Sequence, residues 1–110
     1  MSSVAKYADM LAALGQEARL LIVRRLLRAH PEGMFAGELA DALTIPASTL
    51  SHHLDTLHRH GLVQQSREGK FLRYRADEVG LGRLLAFLLE ECCGDKSPVV
   101  SASSLVRKKK

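Results

Sequence analysis

The sequence predicts a mostly α-helical domain that carries one β-hairpin. Five segments within the first 93 residues place apolar side chains at helical spacing, whereas residues 62–75 show two short strand-like runs around a turn that contains glycine. The chain has 110 residues, a length that suits one domain. Its 46% hydrophobic and 25% charged residues are typical of a globular protein, so the composition excludes a wholly disordered chain.

The first two helices are predicted with different amounts of buried surface. The first ends at Gly15, and its apolar side chains form a narrow stripe. That stripe consists of Val4, Tyr7, Leu11 and Leu14. The second helix runs from about residue 17 to residue 29, and the sequence of residues 30–33 ends it. Because apolar residues wrap most of its circumference, we expect the second helix to be the central buried helix.

Two further helices, joined by a tight turn, are predicted next. The third helix spans about residues 36–43, and residues 44–46 form the turn. The fourth helix continues to about His60 and ends at Gly61, a favourable left-handed cap residue. Its core face consists of Leu50, Leu54 and Leu57. Two helices joined in this way form a helix-turn-helix.

A basic hairpin and a last helix complete the predicted fold. The strands are expected at residues 62–66 and 71–75, with residues 67–70 as the turn. A hairpin in this position makes the fold a winged helix-turn-helix with five helices. The last helix is predicted from Glu78 to Cys93 and is followed by Gly94. We expect residues 1–93 to form the domain and residues 94–110 to form a flexible basic tail.

The fourth helix and the wing carry the candidate DNA-binding residues. The second helix of such a motif enters the major groove, and a basic wing suits phosphates or the minor groove. His53 lies closer to the core side, so a packed histidine and a phosphate contact both stay open for it. A plain helical bundle would also have a polar face, but the order helix, turn, helix, basic hairpin favours DNA binding. The candidates are Ser48, Thr49, Ser51, His52, His53, Arg59, Arg67 and Lys70.

Other functional classes find less support. The five histidines do not predict a catalytic metal site, because neighbouring residues on a helix do not converge on one ion. We expect no enzymatic role. A net charge of +4 is compatible with a polyanionic partner. The sequence has no apolar run of transmembrane length and no signal-peptide pattern at its start, so we expect a cytoplasmic protein without a membrane partner.

Three segments together resemble the ArsR/SmtB family of bacterial repressors. They are Ser48-Thr49-Leu50-Ser51-His52-His53-Leu54-Asp55-Thr56-Leu57, His60-Gly61-Leu62-Val63, and Glu68-Gly69-Lys70-Phe71-Leu72-Arg73-Tyr74. The stretch Leu14-Gly15-Gln16-Glu17-Ala18-Arg19-Leu20 is similar to the opening of the second helix in that family. The resemblance implies a homodimer held by the first and last helices. It also implies a double-stranded operator with two-fold symmetry and release of the DNA when an inducer binds.

The resemblance also suggests the inducer. Two inducer sites of the family are absent, because residues 37–41 hold no cysteine and residues 84–89 hold no metal ligand. Glu91-Cys92-Cys93-Gly94 resembles the arsenic-responsive members, but a third cysteine downstream is missing. Two thiolates complete an organoarsenical such as methylarsenite, whereas arsenite is best satisfied by three. We therefore expect no constitutive cofactor and a trivalent arsenical, preferably an organoarsenical, bound by Cys92 and Cys93.

Three alternatives for the cysteine pair stay open. Both residues extend the apolar stripe of the last helix and could pack as small hydrophobic side chains. The pair could form a strained disulfide or be oxidised, which would make the protein a thiol-based redox sensor. A third ligand from the other subunit or from a small thiol would restore a response to arsenite or antimonite.

Overall fold

A computed structural model describes residues 3–91, and it has the winged helix-turn-helix fold that the sequence predicts. It divides into two units, Met1–Asp77 and Glu78–Lys110. Over the described residues, the helices are α1 (Ser3–Leu14), α2 (Glu17–Arg28), α3 (Ala36–Leu43), α4 (Ala47–Arg59) and α5 (Glu78–Leu89). The strands are β1 (Met34–Phe35), β2 (Val63–Glu68) and β3 (Phe71–Ala76).

The apolar stripe predicted for the first helix is not the face that α1 buries within its own unit. Met10 and Ala13, three residues apart, are the buried side chains of α1. Val4 remains 61% exposed and Leu11 41% exposed, although both belong to the predicted stripe. The side of α1 that meets α2 and α4 thus carries small or flexible side chains, and an apolar stripe is left on its surface.

The prediction that α2 is the central buried helix, with apolar residues around most of its circumference, holds for one face only. Ile22, Val23 and Leu26 are buried and lie on one face at helical spacing. Three leucines on the other faces are between 44% and 47% exposed, because elements of its unit cover only one side of this helix. They are Leu20, Leu21 and Leu27.

The helix-turn-helix forms as predicted, with small differences at the ends. Helix α3 has the predicted bounds, and Thr44 ends it in the left-handed conformation with φ of 55°. Pro46 is the N-cap residue of α4, at the end of the predicted turn. Leu50, Leu54 and Leu57 are buried on one face of α4, as the spacing predicts.

The wing is part of a three-stranded antiparallel sheet with the strand order β1-β3-β2. The sequence did not predict β1, which has only two residues and therefore shows no alternation. The predicted four-residue turn is also wrong, because Arg67 and Glu68 continue β2 and pair with Leu72 and Phe71. The turn that remains is Gly69-Lys70, where Gly69 has φ of 66°.

Helix α5 is shorter than the sequence predicts. It ends at Leu89, and residues 90–91 form a turn, so the expected continuation to Cys93 is wrong. Val79, Leu85 and Leu88 of this helix are exposed. Cys92, Cys93 and the predicted tail 94–110 lie outside the described residues. Within residues 3–91, no helix combines the length and apolar character needed to span a bilayer.

Gly33 holds the connection between α2 and β1 against strand β3. Its φ is +76°, and a Cβ atom at this position would overlap the carbonyl oxygen of Tyr74. Backbone atoms cannot move aside as the end of a flexible side chain can. Only glycine therefore satisfies both the conformation and the close approach at this position.

We expect Gly33→Ala to destabilise the protein more than Gly69→Ala. Gly69 has a similar φ of +66°, but a Cβ atom added there would meet no other atom within 4 Å, so its substitution introduces only the left-handed strain, about 1–2 kcal/mol. The clash at Gly33 adds about 1–3 kcal/mol. Denaturant unfolding of both variants measures the difference. Equal losses of unfolding free energy would show that the contact with Tyr74 relaxes without cost.

Candidate nucleic-acid interface

The exposed face of α4 carries the polar residues that the helical spacing places there. Because three leucines face the core, the opposite side of the helix points to solvent. Near the start of α4 this surface consists of hydroxyl groups and one imidazole. The exposed candidates on α4 are Ser48, Thr49, Ser51, His52 and Arg59. Short hydroxyls and an imidazole at the beginning of such a helix suit base edges and nearby phosphates.

Arg59, at the end of α4, is held by its own helix. Its Nε donates to Oδ2 of Asp55 at 3.3 Å, and its Nη2 donates to Oγ1 of Thr56 at 3.4 Å. The side chains of Arg59 and Asp55 are 58% and 67% exposed. An exposed ion pair of this kind contributes only about 0.3–0.5 kcal/mol. A phosphate oxygen can therefore replace the carboxylate as the partner of Arg59 at little cost.

His53 differs from the other candidates because it contacts the core helices. It is half-buried, and its Nδ1 lies 3.3 Å from Nη1 of Arg19 on α2. Desolvation is the largest cause that lowers the pKa of His53, followed by the positive charge of Arg19 and the charge of His52. Arginine can only donate, so the contact requires Nδ1 of His53 to accept a hydrogen bond. The imidazole is therefore neutral in this arrangement.

The wing presents two exposed cations near its tip. Lys70 lies in the two-residue turn, and Arg67 lies on β2 opposite Leu72. Both side chains are exposed, as the sequence predicts for contacts with phosphates or the minor groove. Their positions beyond the buried part of the sheet leave them accessible to a polyanion.

Two other arginines of the wing are engaged within the protein. Arg73 donates from Nε to Oε2 of Glu68 at 2.8 Å, and its guanidinium lies 4.1 Å from the ring centre of Phe35. The hydrogen bond is the main reason why the pKa of Glu68 is lowered and that of Arg73 raised. Arg75 donates to Oγ of Ser66 at 3.1 Å and to the carbonyl of Pro31 at 3.2 Å. The hydrogen bond to Pro31 attaches the wing to the chain that precedes β1, and the contact with Phe35 attaches it to β1.

The structure identifies Arg19 as a residue that sequence reasoning missed. Besides the contact with His53, its Nε donates to the carbonyl oxygen of Ala13 at 2.7 Å. Arg19 lies three residues after the capping Gln16, in a helix that carries three further arginines, so the sequence does not distinguish it from them. Spacing alone gives no role to such a residue, because both of its partners lie on other helices.

The described residues contain no metal-binding cluster of three or more side chains. Across residues 3–91, no three side chains of His, Cys, Asp or Glu come together in a way that could hold a metal ion. Among these residues, His52 and His53 have ring centres 6.3 Å apart. Cys92 and Cys93, the candidate arsenical ligands, lie outside the described range.

An exposed polar helix after a tight turn, followed by a basic wing, defines a winged helix-turn-helix DNA-binding protein. Residues 14–65 match the family described as Helix-turn-helix domain. The chain is 32% identical to the nodulation protein NolR of Rhizobium meliloti, over 92% of this chain and 80% of NolR. The chain therefore belongs to the ArsR/SmtB family of transcriptional regulators, which are DNA-binding proteins and not enzymes.

Solved structures agree with this assignment. An ArsR-like transcriptional regulator from Rhodococcus sp. RHA1 is 28% identical, with a TM-score of 0.70 and 96% coverage of both chains. The homodimeric winged helix-turn-helix DNA-binding domain of a possible ArsR-family regulator from Mycobacterium bovis is 27% identical. Its TM-score is 0.66, and the alignment covers 80% of this chain and 83% of that domain.

We expect the free energy of unfolding to decrease as the pH is lowered, because His53 titrates differently in the folded and unfolded chain. The unfolded chain binds a proton at this residue near the ordinary pKa of about 6.5, whereas the folded chain resists protonation until a lower pH. The unfolded state therefore binds more protons below about pH 6.5, and the free energy of unfolding decreases there. His53→Gln, whose amide oxygen can still accept from Arg19, should remove this part of the pH dependence.

Urea unfolding midpoints of the wild type and His53→Gln, measured above and below the ordinary histidine pKa, check this prediction. His58→Gln is the matched control, because it removes an exposed imidazole from the same helix. An identical pH dependence in the wild type and His53→Gln would contradict the assignment to His53.

Proposed function

We propose that the protein is a homodimeric transcriptional repressor of the ArsR/SmtB family that releases its operator when a trivalent arsenical binds. The DNA-binding part of this proposal rests on the exposed polar face of α4, next to a wing with two exposed cations. The inducer part rests on one observation in the sequence, the adjacent Cys92 and Cys93. An organoarsenical such as methylarsenite is the favoured inducer.

A second copy of this chain is the proposed occupant of the exposed apolar surfaces. Helix α1 exposes Val4 and Leu11, and helix α5 separately exposes Val79, Leu85 and Leu88. Large apolar side chains exposed at helical spacing are typical of helices that pack against a partner. The Mycobacterium bovis relative is described as homodimeric, which supports the same assembly for this chain.

The dimer would read a double-stranded operator with two-fold symmetry. Each copy would place its α4 in the major groove, with Ser48, Thr49 and Ser51 closest to the base edges. Arg67 and Lys70 of the wing would neutralise phosphates beside each half-site. Two recognition helices related by a two-fold axis fit half-sites about 34 Å apart.

The resemblance of residues 91–94 to arsenic-responsive repressors suggests the inducer, and the chemistry of a thiolate pair favours one type of arsenical. Trivalent arsenic that carries one carbon substituent has two exchangeable positions, so two thiolates complete its coordination. Arsenite has three exchangeable positions and would need a third ligand, which the sequence does not supply near the pair. The two thiolates of Cys92 and Cys93 therefore favour an organoarsenical over arsenite. Thiolates are also soft ligands, so they favour arsenic over harder cations.

Release of DNA follows from thermodynamic linkage. An inducer can only lower operator affinity if it binds the DNA-free dimer more tightly than the DNA-bound dimer. Binding at Cys92 and Cys93, which follow α5 closely in the sequence, would act on the helix proposed to contact the partner copy. A change in that contact would alter the spacing of the two recognition helices and misalign them with the half-sites.

We expect Lys70→Gln and His52→Ala to weaken DNA binding in different ways. Lys70→Gln should lower the affinity for a duplex selected by the wild type and for a random duplex alike, and should reduce the slope of log K against log salt by about 1. His52→Ala should lower only the affinity for the selected duplex, by about tenfold, because base contacts carry the specificity. Salt titrations of both variants on both duplexes separate the two effects. Equal losses on both duplexes for His52→Ala would exclude His52 from base recognition.

We expect replacement of Cys92 and Cys93 by serine to leave operator affinity unchanged and to abolish release by arsenicals. Serine keeps the side-chain size but provides no thiolate. Reduced wild type and the double variant are titrated on the selected duplex with methylarsenite, phenylarsenite, arsenite, antimonite, zinc and peroxide. The single variants Cys92→Ser and Cys93→Ser show whether both thiols are required.

The pattern of release distinguishes the candidate inducers. Release of the wild type by the two organoarsenicals alone agrees with a two-thiolate site. Release by arsenite or antimonite as well would reveal a third ligand, and release by peroxide alone would replace the arsenical by a redox signal. Continued response of the double variant would place the inducer site elsewhere.

A further inference from the structure

The guanidinium of Arg19 joins three helices of the unit that contains the DNA-binding face. Its Nε donates to the carbonyl oxygen of Ala13, and its Nη1 lies 3.3 Å from Nδ1 of His53. Arg19 belongs to α2, Ala13 to α1 and His53 to α4. One side chain therefore connects the exposed apolar helix α1 with the helix proposed to enter the major groove.

The contact with Ala13 has a local cause. The last four carbonyl groups of a helix have no donor within that helix, and Ala13 is one residue from the end of α1. Gly15 N–H turns back to the carbonyls of Leu11 and Ala12 instead. Arg19 supplies the missing donor for Ala13, and its positive charge also suits the negative end of the α1 dipole.

The contact with His53 fixes the form of the imidazole. Because a guanidinium has no acceptor, Nδ1 of His53 must accept the hydrogen bond, and the single ring proton then resides on Nε2. The groups whose charge acts on His53 are Arg19 on α2 and His52 on its own helix, and α1 contributes the carbonyl of Ala13 through Arg19. Burial of the ring, followed by the positive charge of Arg19 and the interaction with His52, lowers the pKa of His53, so the surroundings and the geometry favour the same neutral form.

We propose that Arg19 is a positioning residue for DNA recognition, which sets α4 against α1 and holds His53 as the neutral tautomer with its proton on Nε2. The inference rests on the proposed function, because it concerns how α4 is presented to the major groove. His53 then offers an Nε2–H donor to a phosphate oxygen, and its other nitrogen anchors α4 to the core. This combines the two roles that the sequence left open for His53.

The proposed positioning role requires the planar guanidinium group of an arginine, whose donors have a fixed geometry. Nε and Nη1 of one guanidinium serve two helices at once, which a lysine ammonium at the same place cannot do with the same geometry. Arg19→Lys retains the charge and loses the guanidinium geometry, and Arg19→Gln loses both. Arg24→Gln is the matched control, because Arg24 is an exposed arginine on the same helix.

The test compares these variants on a duplex selected by the wild type from a random pool and on a random duplex. We expect Arg19→Gln and Arg19→Lys to lose about tenfold in affinity for the selected duplex, because α4 is no longer held in place. The loss on the random duplex should be smaller, because it reflects only the phosphate contact of His53 and, in Arg19→Gln, the lost charge. Arg24→Gln should lose equally on both. A double-variant cycle with His53→Ala, which removes the acceptor of Arg19, should show that the losses at Arg19 and His53 are not additive.

A second measurement tests the proposal in the wild type alone, and Arg19→Lys extends it. The nitrogen chemical shifts of the His53 imidazole in the wild type report the tautomer directly. We expect the Nε2–H form in the wild type and a mixture of tautomers in Arg19→Lys. A wild-type Nδ1–H form, additive losses in the cycle, or an Arg19→Lys variant that matches the wild type on the selected duplex would each overturn the proposal.

Failure of the proposed function would look different. If the wild type selects no duplex from the random pool, the DNA-binding part of the function is wrong, whatever the tautomer of His53. If the wild type selects a duplex and Arg19→Gln behaves like Arg24→Gln, only the role of Arg19 is wrong.

Discussion

Burial of three leucines on one side of α4 determines which side of this helix is accessible to a binding partner. Leu50, Leu54 and Leu57 are essentially inaccessible to solvent. Each such side chain contributes about 1.5–3 kcal/mol on burial. A rotation of α4 by one residue would expose leucines and bury hydroxyls and an imidazole, so the helix has one stable orientation. The polar face with Ser48, Ser51 and His52 is accessible as a direct consequence of that packing.

The unit that contains α1–α4 exposes two surfaces of different chemistry. The face of α4 and the tip of the wing are polar and basic, which suits a polyanion. Helices α1 and α2 expose aliphatic side chains, among them Leu11, Leu20 and Leu27, which suit another protein surface. Arg19 contacts both α1 and α4.

The sequence predicts the helices of this fold well because their apolar residues recur at a strong period. Helix α3 has the predicted bounds, and the core face of α4 agrees residue by residue. The two-residue strand β1 is too short to show a period, and the end of α5 at Leu89 interrupts an apolar pattern that continues in the sequence. The exposed leucines of α2 show that apolar spacing identifies a helix but not which face meets the core of its own chain.

The residues of the candidate site also differ in whether the sequence alone can locate them. Exposed residues of α4 and the wing follow from helical spacing and from the glycine-containing turn, so the sequence locates them. The link from Arg19 to His53 joins residues 34 positions apart and depends on tertiary packing, which no local pattern encodes. The proposed roles of Cys92 and Cys93 depend on the resemblance of Glu91-Cys92-Cys93-Gly94 to arsenic-responsive repressors and on the chemistry of the thiol pair.

The central claim is that the polar face of α4 and the tip of the wing contact DNA. Amide and side-chain chemical shifts of the protein, followed during titration with a duplex selected from a random pool, test it most directly. The account predicts that the largest changes lie at Ser48, Thr49, Ser51 and His52 and at Arg67 and Lys70, while buried positions such as Ile22 change little. Changes that concentrate on α1 and α2, with α4 unaffected, would contradict it.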